Sequence, residues 1–252
     1  MNFSPEEQQR YARQLALPEI GAAGQARLRA GRVLVIGAGG LGSPAALYLA
    51  AAGVGTLGLM DGDVVDLSNL QRQTLHATAD IGRRKVDSAA AKLHALNPST
   101  ELRLFPERCT ADNAAARLAD FDFVVDATDN FAAKFLIADA CHAAGRPYAH
   151  AGILRFQGQI MTVLPGKTAC YRCVFEQPPP ETGASPQGPL GVVPGVLGTL
   201  QAAEAIKFLL GLGQLLTDRL LTFDVLTLRF REVPVKRQPH CRLCGDPDHA
   251  RP

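Results

Sequence analysis

Uninterrupted apolar runs alternate with stretches of helical spacing along the first 150 residues. The runs VLVI at 33–36, TLGLM at 56–60 and FVVDA at 123–127 are typical of strands buried on both faces of a parallel sheet. Helical spacing marks RRKVDSAAAKLHALN at 83–97 and FAAKFLIADACHAAG at 131–145. This order predicts an α/β fold with a doubly wound, Rossmann-like, mostly parallel sheet.

The pattern differs at the two ends of the chain. Residues 5–30 have helical spacing before the first apolar run. Later, FQGQIMTVL at 156–164 alternates, and RLLTFDVLTLRFREVPV at 219–235 predicts two strands with a turn near Asp224. The segment LGTLQAAEAIKFLLG at 197–211 predicts a helix. The sheet is therefore expected to continue with antiparallel C-terminal strands.

Composition narrows the partners and the compartment. The 252 residues are 47% apolar with a net charge of +2, and no basic stripe indicates nucleic acid or an anionic membrane surface. Residues 33–60 contain no charged side chain, but seven glycines divide them, which favours strand–helix–strand over a membrane span. The start MNFSPEEQQR lacks the apolar core of a signal peptide. We expect a cytoplasmic protein with neither a nucleic-acid nor a membrane partner.

The residues GAGGLG at 37–42 join the first apolar run to a helical stretch. Gly37, Gly39 and Gly40 let backbone N–H groups approach an anion, and a helix N-terminus favours negative charge. Asp61, at the end of the next apolar run, is placed to accept ribose hydroxyls. A ribonucleotide site is predicted, although the turn does not distinguish NAD from a triphosphate. A turn needed only for helix–strand packing is the simpler alternative.

The polar segment after Asp61 favours a triphosphate. It reads DGDVVDLSNLQRQ, and Lys85 follows in GRRKV. Arg72 and Lys85 are cations suited to the charge that develops on phosphate oxygens, with Asn69 and Gln73 as uncharged hydrogen-bonding partners. A nicotinamide enzyme has no need for several such cations. Each one taken alone is more simply a solvated surface charge.

Acidic residues end another apolar run, in VVDATDN at 124–130. The carboxyl ends of strands in an open α/β sheet face the ligand crevice. Asp129 beside Asn130 is therefore a candidate for holding Mg²⁺ that bridges phosphates. The alternative is that these residues cap the following helix. Both roles are compatible if Asp129 faces the metal and Asn130 lies nearer the cap.

The six cysteines include two C-x-x-C pairs, CYRC and CRLC. Two such pairs suit tetrahedral Zn²⁺ bound by four thiolates, in a closed structural site that clips the C-terminal tail to the region after the central sheet. A redox C-x-x-C is the alternative, but it needs only one pair. Cys109 and Cys141 stand alone and are expected to be small buried side chains. The predicted zinc ligands are Cys170, Cys173, Cys241 and Cys244.

Taken together, the ordered motifs resemble the MoeB/ThiF/HesA family, the bacterial relatives of ubiquitin-activating enzymes. The motifs extend over nearly the whole chain and are RYARQL (10–15), GAGGLG, MDGDVVDLSNLQRQ, GRRKV, DATDN, CYRC, GTLQAAEAIK (198–207) and CRLC. The resemblance implies ATP-dependent adenylation of the C-terminal Gly-Gly carboxylate of a small ubiquitin-like sulfur-carrier protein. The products are an acyl-adenylate and pyrophosphate, and a sulfur donor later forms the thiocarboxylate.

The resemblance also implies residue roles. Gly40 lies against the phosphates, Asp61 holds the ribose, and Asp129 with Asn130 completes the Mg-ATP site. Arg13 resembles the residue that reaches the nucleotide of the other subunit, so a homodimer is implied. The implied catalytic residues are Arg13, Arg72, Lys85 and Asp129. The implied nucleotide contacts are Gly37, Gly39, Gly40, Asp61, Ser68, Asn69, Leu70, Gln71, Arg72, Lys85, Asp129 and Asn130.

On this resemblance the chain is expected to be a single adenylation domain over 1–252. Residues 1–30 would form N-terminal helices, 31–150 the nucleotide-binding half, and 151–252 the carrier-binding half with the zinc site. Two readings of a different class remain open. One is an NAD-dependent oxidoreductase on the same fold, and the other is a scaffold that binds a carrier without catalysis.

The chain departs from the family pattern in the segment 174–191. Many relatives carry a cysteine there for a covalent acyl intermediate, whereas this segment has none, with Ala184 or Ser185 in the neighbourhood. We expect adenylation without a thioester on this protein. We expect no fused rhodanese domain after the second cysteine pair, and therefore a separate persulfide protein as the sulfur donor. The choice between molybdopterin, thiamine and other pathways stays open.

Overall fold

A computed structural model describes residues 3–178 and 188–245. Within them one eight-stranded sheet has the strand order β3-β2-β1-β4-β5-β6-β7-β8. The strands β1 to β5 are parallel, and β6, β7 and β8 continue the sheet in antiparallel pairing. The strands are β1 (Arg32–Ile36), β2 (Thr56–Met60), β3 (Glu101–Phe105), β4 (Phe123–Asp126), β5 (Tyr148–Leu154), β6 (Gln157–Val163), β7 (Arg219–Asp224) and β8 (Arg229–Pro234).

Helices cover both faces of the sheet. The helices are α1 (Pro5–Arg10), α2 (Ala12–Leu15), α3 (Gly21–Ala30), α4 (Gly42–Ala51), α5 (Lys85–Leu96), α6 (Ala111–Leu118), α7 (Phe131–Ala143), α8 (Tyr171–Val174) and α9 (Val192–Leu210). Short 3₁₀ turns lie at Leu67–Asn69 and Thr78–Asp80. The predicted fold class, a mostly parallel sheet with antiparallel C-terminal strands, is confirmed.

Buried apolar runs account for the central strands. In β1, Val33 and Val35 enter one core cluster with α4, α5 and α9, while Leu34 and Ile36 enter the other with α6 and α7. Because successive side chains of a strand point to opposite faces, a strand covered on both faces must be apolar at every position. β2 spans the predicted run 56–60 and is buried throughout.

Two of the longer elements, β5 and α9, differ from the sequence prediction. β5 was not predicted, because YAHAGIL places small residues and His150 between Tyr148 and Ile153 and so lacks a continuous run of strand-favouring side chains. Pairing with β4 and β6 on its two sides nevertheless buries its first four residues. α9 begins at Val192 rather than at 197, since Pro194 in the first turn has no intrahelical bond to lose.

The strand order changes direction between β1 and β4. From β1 the chain proceeds outward through β2 and β3, and it returns to the other side of β1 to form β4. Ile36 at the end of β1 pairs with Asp126 at the end of β4. The carboxyl ends of these two strands therefore flank the crevice in which open α/β sheets bind ligands.

Among the described residues one helix, α9, is long and apolar enough to cross a membrane by length and composition. In the structure 44% of it is buried inside the protein, where the Gln201 side-chain amide donates to the carbonyls of Asp126 and Ala149. α9 is thus a core helix that packs against the sheet.

Gly198 sets how closely α9 approaches the start of α4. A Cβ built there would lie 2.1 Å from the Leu41 carbonyl oxygen and 2.7 Å from the Pro44 ring. We expect Gly198→Ala to lower the free energy of unfolding by about 1–3 kcal/mol in urea denaturation. Gly195→Ala is the matched control, because a Cβ there meets nothing within 4 Å. It should stabilise by up to ~1 kcal/mol through helix propensity, and equal effects would contradict the packing argument.

Candidate nucleotide and metal sites

The glycine turn after β1 is built by close backbone packing. Gly37 has φ +99°, and a Cβ on it would lie 2.7 Å from the Ala127 carbonyl oxygen. A Cβ on Gly42 would lie 1.8 Å from the Gly37 carbonyl oxygen. The N–H groups of Gly39 and Gly40 donate to no group in the described part of the chain, and no side chain caps α4. The turn therefore presents free backbone donors at a helix N-terminus, which suits an anion.

Asp61 ties the turn to the segment that follows β2. Its Oδ2 accepts from the Ala38 N–H at 2.8 Å, and its Oδ1 accepts from the Asp63 N–H at 2.8 Å. A carboxylate has further lone pairs after two such bonds, so these contacts leave room for a ribose hydroxyl. The structure places Asp61 beside the turn, as the sequence predicted.

The segment with the predicted phosphate contacts also lies at the turn. Arg72 approaches Gly40, with its Cγ 3.5 Å from the position of a Cβ there, and it forms no ion pair with any described residue. Its Nη1 donates to the Ser68 carbonyl at 3.2 Å, and the Asn69 side chain donates to the Ser68 hydroxyl. The Gln73 amide lies 3.4 Å from a Cβ position on Gly39. Leu70 is half-buried and Gln71 is exposed.

Lys85 is the first residue of α5 and is buried. Its Nζ lies 3.1 Å from Asp63 Oδ2, and Arg108 pairs with the other oxygen of Asp63 at 3.0 Å. Burial raises the pKa of Asp63, but the hydrogen bonds and charges of Lys85 and Arg108 outweigh this and hold the pKa below its ordinary value. Lys85 thus has an acidic partner, and neither Asp63 nor Arg108 was predicted from the sequence.

At the end of β4, the two carboxylates differ sharply. Asp126 is buried and accepts from the Thr128 hydroxyl at 2.6 Å, with Lys134 and His150 as further partners. Asp129 is exposed, and its side chain accepts a long hydrogen bond of 3.4 Å from the Asn130 amide. Asp129 is therefore available to a cation at this edge.

Asn130 caps α7. Its side-chain oxygen accepts from the Ala133 N–H at 2.9 Å. The capping interpretation is confirmed for this residue, and a metal contact through the same oxygen would compete with the cap.

Lys134, Asp126 and His150 form a buried charged cluster below the crevice. Lys134 also donates to the Ala151 carbonyl at 2.6 Å. Burial alone would raise the pKa of Asp126, but Lys134, His150 and Thr128 hold it far below its ordinary value. Burial, reinforced by the Lys134 charge, lowers the pKa of His150 to about 4 despite the attraction of Asp126. His150 is therefore neutral at pH 7.

Acidification is expected to destabilise the protein through His150. In the unfolded chain this side chain becomes protonated below about pH 6.5, whereas in the folded chain it stays neutral until about pH 4. The free energy of unfolding should therefore fall between pH 6.5 and 4, by about 3 kcal/mol from this residue. Urea denaturation across this window, with zinc content measured at each pH, tests this. His150→Asn should flatten the slope and the exposed His94→Asn should not; an unchanged slope in His150→Asn would contradict the assignment.

Arg13 is not brought to the glycine turn of its own chain. It is exposed on α2 and makes no hydrogen bond or ion pair with any described residue. The neighbouring Gln14 donates to the Ala52 carbonyl at the C-terminal end of α4. The glycine turn lies at the opposite end of this ten-residue helix, about 15 Å away along the axis.

The four predicted cysteines form one cluster, with all sulfur atoms within 4.8 Å of one another. Cys170 lies 3.8 Å from Cys173 and 3.5 Å from Cys241, and Cys173 lies 3.4 Å from Cys244. Tetrahedral zinc with Zn–S bonds of about 2.3 Å places sulfur atoms about 3.8 Å apart, so the cluster fits this ion.

The surroundings of the cluster also fit a thiolate-bound cation. The Gln238 N–H donates to the sulfur of Cys173 at 3.4 Å, and Arg237 donates to the Cys244 carbonyl. Cys109 and Cys141 lie outside the cluster, and burial raises the pKa of Cys109 to about 11 and that of Cys141 well above its ordinary value. Both thiols are therefore protonated and poor nucleophiles at neutral pH.

Three residues of the site, His76, Lys134 and His150, were not predicted from the sequence. His76 follows the predicted segment DLSNLQRQ by three residues, and this closeness in sequence was the one indication that it belongs to the site. The ion pairs of Lys134 and His150 join separate helices and strands, which no local pattern reports. The predictions on Ala184 and Ser185 lie outside the described residues.

Comparison with known proteins agrees with this geometry. A model of the ThiF family matches residues 11–243. The sulfur carrier protein adenylyltransferase of Thermus thermophilus is 45% identical over 98% of this chain and 94% of its own length. The adenylyltransferase and sulfurtransferase MOCS3 of Sus scrofa is 49% identical over 97% of this chain, which spans 54% of that relative.

Among solved structures, E. coli MccB with ATP superposes with a TM-score of 0.85 at 25% identity, covering 96% of this chain and 75% of that one. The family model and the structural superposition each cover nearly the whole chain, and the glycine turn after β1 lies within the residues that the family model matches. The chain belongs to the ThiF family.

Proposed function

We propose that this protein uses ATP to adenylate the C-terminal Gly-Gly carboxylate of a small ubiquitin-like sulfur-carrier protein. The observation that carries the proposal is the free backbone donors of the glycine turn, with Arg72 against Gly40 and without an acidic partner among the described residues. A hydride-transfer enzyme has no need for several cations at the nucleotide phosphates, whereas Arg72 and Lys85 both lie in this segment. The sulfur carrier protein adenylyltransferase of Thermus thermophilus, 45% identical, supports the same reaction.

The chemistry requires positive charge at this edge of the sheet. A carboxylate oxygen of the carrier attacks the α-phosphorus of ATP, the bond between that phosphorus and the bridging oxygen breaks, and pyrophosphate leaves. Both reactants are anions, so Arg72 and Lys85 offset their repulsion and the charge that builds on the phosphate oxygens. Asp61 would accept the ribose hydroxyls beside the turn. The further candidate nucleotide contacts belong to the same segment as Arg72 and are Ser68, Asn69, Leu70 and Gln71.

Asp129, with Asn130 beside it, is the candidate to hold Mg²⁺. Asp129 is an exposed carboxylate without an ion-pair partner among the described residues, at the edge where β4 ends. Carboxylate oxygens suit this hard cation, which neutralises phosphate charge when bound. Asn130 holds the start of α7 and so fixes the turn that carries Asp129.

A homodimer would complete the site through Arg13. This side chain is exposed and pairs with no residue in the described part of the chain, and it lies at the far end of α4 from its own glycine turn. A second copy of the chain is therefore the natural source of an arginine at the nucleotide. We infer that residues 31–150 bind the nucleotide and that 151–252, with zinc on the four cysteines, receive the carrier.

Formation of the thiocarboxylate would need a second protein. Cys109 and Cys141 are protonated side chains outside the four-cysteine cluster, so we infer that no acyl-thioester forms on them. The outer sulfur of a separate persulfide donor would attack the acyl-adenylate carbonyl and displace AMP, and a second thiol would then cleave the S–S bond of the resulting acyl disulfide to release the thiocarboxylate.

ATP–pyrophosphate exchange tests the proposal. Purified carrier proteins ending in Gly-Gly are added one at a time, and exchange is expected with one of them. The same carrier lacking the last two glycines is the control and should support none. Absence of exchange with every carrier, for folded and zinc-loaded protein, would refute the adenylation mechanism. A change in NADH fluorescence on mixing would instead favour a nicotinamide enzyme.

A further inference from the structure

His76 lies where three segments of the candidate nucleotide site meet. Its ring is buried, with Nε2 2.8 Å from the Ala38 carbonyl oxygen of the glycine turn. Its Nδ1 lies 2.9 Å from the hydroxyl of Ser88, one turn after Lys85 on α5. The backbone N–H of His76 donates to the carbonyl of Gln73, the residue directly after Arg72. His76 therefore joins the glycine turn and the Lys85 helix through its side chain, and the Arg72 segment through its backbone.

The hydrogen bonds assign the tautomer of His76. A carbonyl oxygen only accepts, so Nε2 carries the proton and donates to Ala38. Nδ1 then accepts from the Ser88 hydroxyl, whose oxygen in turn accepts from Lys92 at 3.0 Å. Burial lowers the pKa of His76, and the charges of Lys85 and Lys92 lower it further; together they outweigh the hydrogen bond to Ala38 and the Asp61 charge, which raise it. The neutral ring is thus the form that satisfies each partner.

Holding the Ala38 carbonyl has a consequence for the turn. In a trans peptide the C=O and the following N–H point in opposite directions. With the Ala38 oxygen fixed toward His76, the N–H of Gly39 points away from the ring, and it donates to no described group. Rotation of this peptide would turn a carbonyl oxygen toward the phosphates and remove a donor.

We propose that His76 is a positioning residue for the nucleotide, which orients the Ala38–Gly39 peptide and fixes the turn relative to Lys85 through Ser88. It touches no reacting atom. This inference rests on the nucleotide site of the proposed function but not on the carrier, so binding of Mg-ATP alone tests it.

Two substitutions separate the bonds of His76. The side-chain amide nitrogen of glutamine can replace Nε2, and the shorter asparagine can replace only Nδ1. We expect His76→Asn to raise the Kd for Mg-ATP in isothermal titration calorimetry about tenfold or more. His76→Gln should stay within about threefold of wild type. His94→Gln, exposed on the same helix as Ser88, is the control and should bind as wild type does.

Equal loss in the Gln and Asn variants, or wild-type binding in both, would overturn the proposal. Should His76→Asn fail to fold, Ser88→Ala decides with His76→Gln: raised Kd in Ser88→Ala alone supports the proposal, and any other pattern overturns it. With an active carrier, His76→Asn should raise KM for ATP while kcat stays within about threefold. If wild type binds Mg-ATP but no carrier supports exchange, the adenylation proposal fails and the role of His76 stands.

Discussion

Arg72→Ala is expected to lower carrier-dependent ATP–pyrophosphate exchange by about 10²–10³, the usual cost of removing one contact to a developing oxyanion. Arg72 approaches Gly40 and has no acidic partner among the described residues, so its charge is available to the phosphates. The loss should fall on kcat, because repulsion between carboxylate and phosphate is greatest as the two react. Initial rates of exchange at saturating Mg-ATP and carrier measure it.

Arg84→Ala is the matched control for Arg72→Ala. Arg84 directly precedes Lys85 but is exposed and pairs with Asp87 at 2.7 Å, so its charge is already balanced. Exchange by this variant should stay within about twofold of wild type. A loss of tenfold or less in Arg72→Ala, or equal losses in the two variants, would remove Arg72 from the transition state.

The sequence predicts those parts of the fold in which a local pattern of apolar residues is enough to specify the element. VLVI and TLGLM are typical of strands covered on both faces, and β1 and β2 form there. β5 escapes prediction because its own sequence pattern is weak, with small residues and His150 in its middle, whereas its strand structure depends on pairing with β4 and β6. The start of α9 is likewise set by packing, since Gly191 contacts the Gln71 backbone and Pro194 contacts Gly40.

The candidate site divides in the same way. Glycines, paired cysteines and acidic residues at strand ends have local sequence signatures. The structure gathers the four cysteines in one cluster and, at a separate place, sets Asp61 against the glycine turn. Contacts between distant segments have none: the bond from His76 to Ala38 joins residues 38 positions apart, and that from His150 to Asp126 joins residues 24 apart. Only the folded sheet brings them into contact.

One chain of contacts connects the cysteine cluster with the nucleotide edge. Tyr171, next to Cys170, packs on the ring of His150 at 4.5 Å between centroids. His150 bonds Asp126, which accepts from Thr128, the residue before Asp129. A cation on the four sulfurs would therefore hold the tail and also the wall below the candidate magnesium position.

Cys244→Ser is expected to remove the zinc and to lower the free energy of unfolding by about 3 kcal/mol or more, because a serine oxygen binds zinc far less well and three thiols stay crowded in a half-buried cluster. For a chain of this length the loss corresponds to roughly 6–12 °C in Tm. Metal analysis and thermal unfolding measure both effects. Cys109→Ser, outside the cluster, should retain the metal. Full zinc content and an unchanged Tm in Cys244→Ser would show that the cluster does not bind the ion as a closed four-thiolate site.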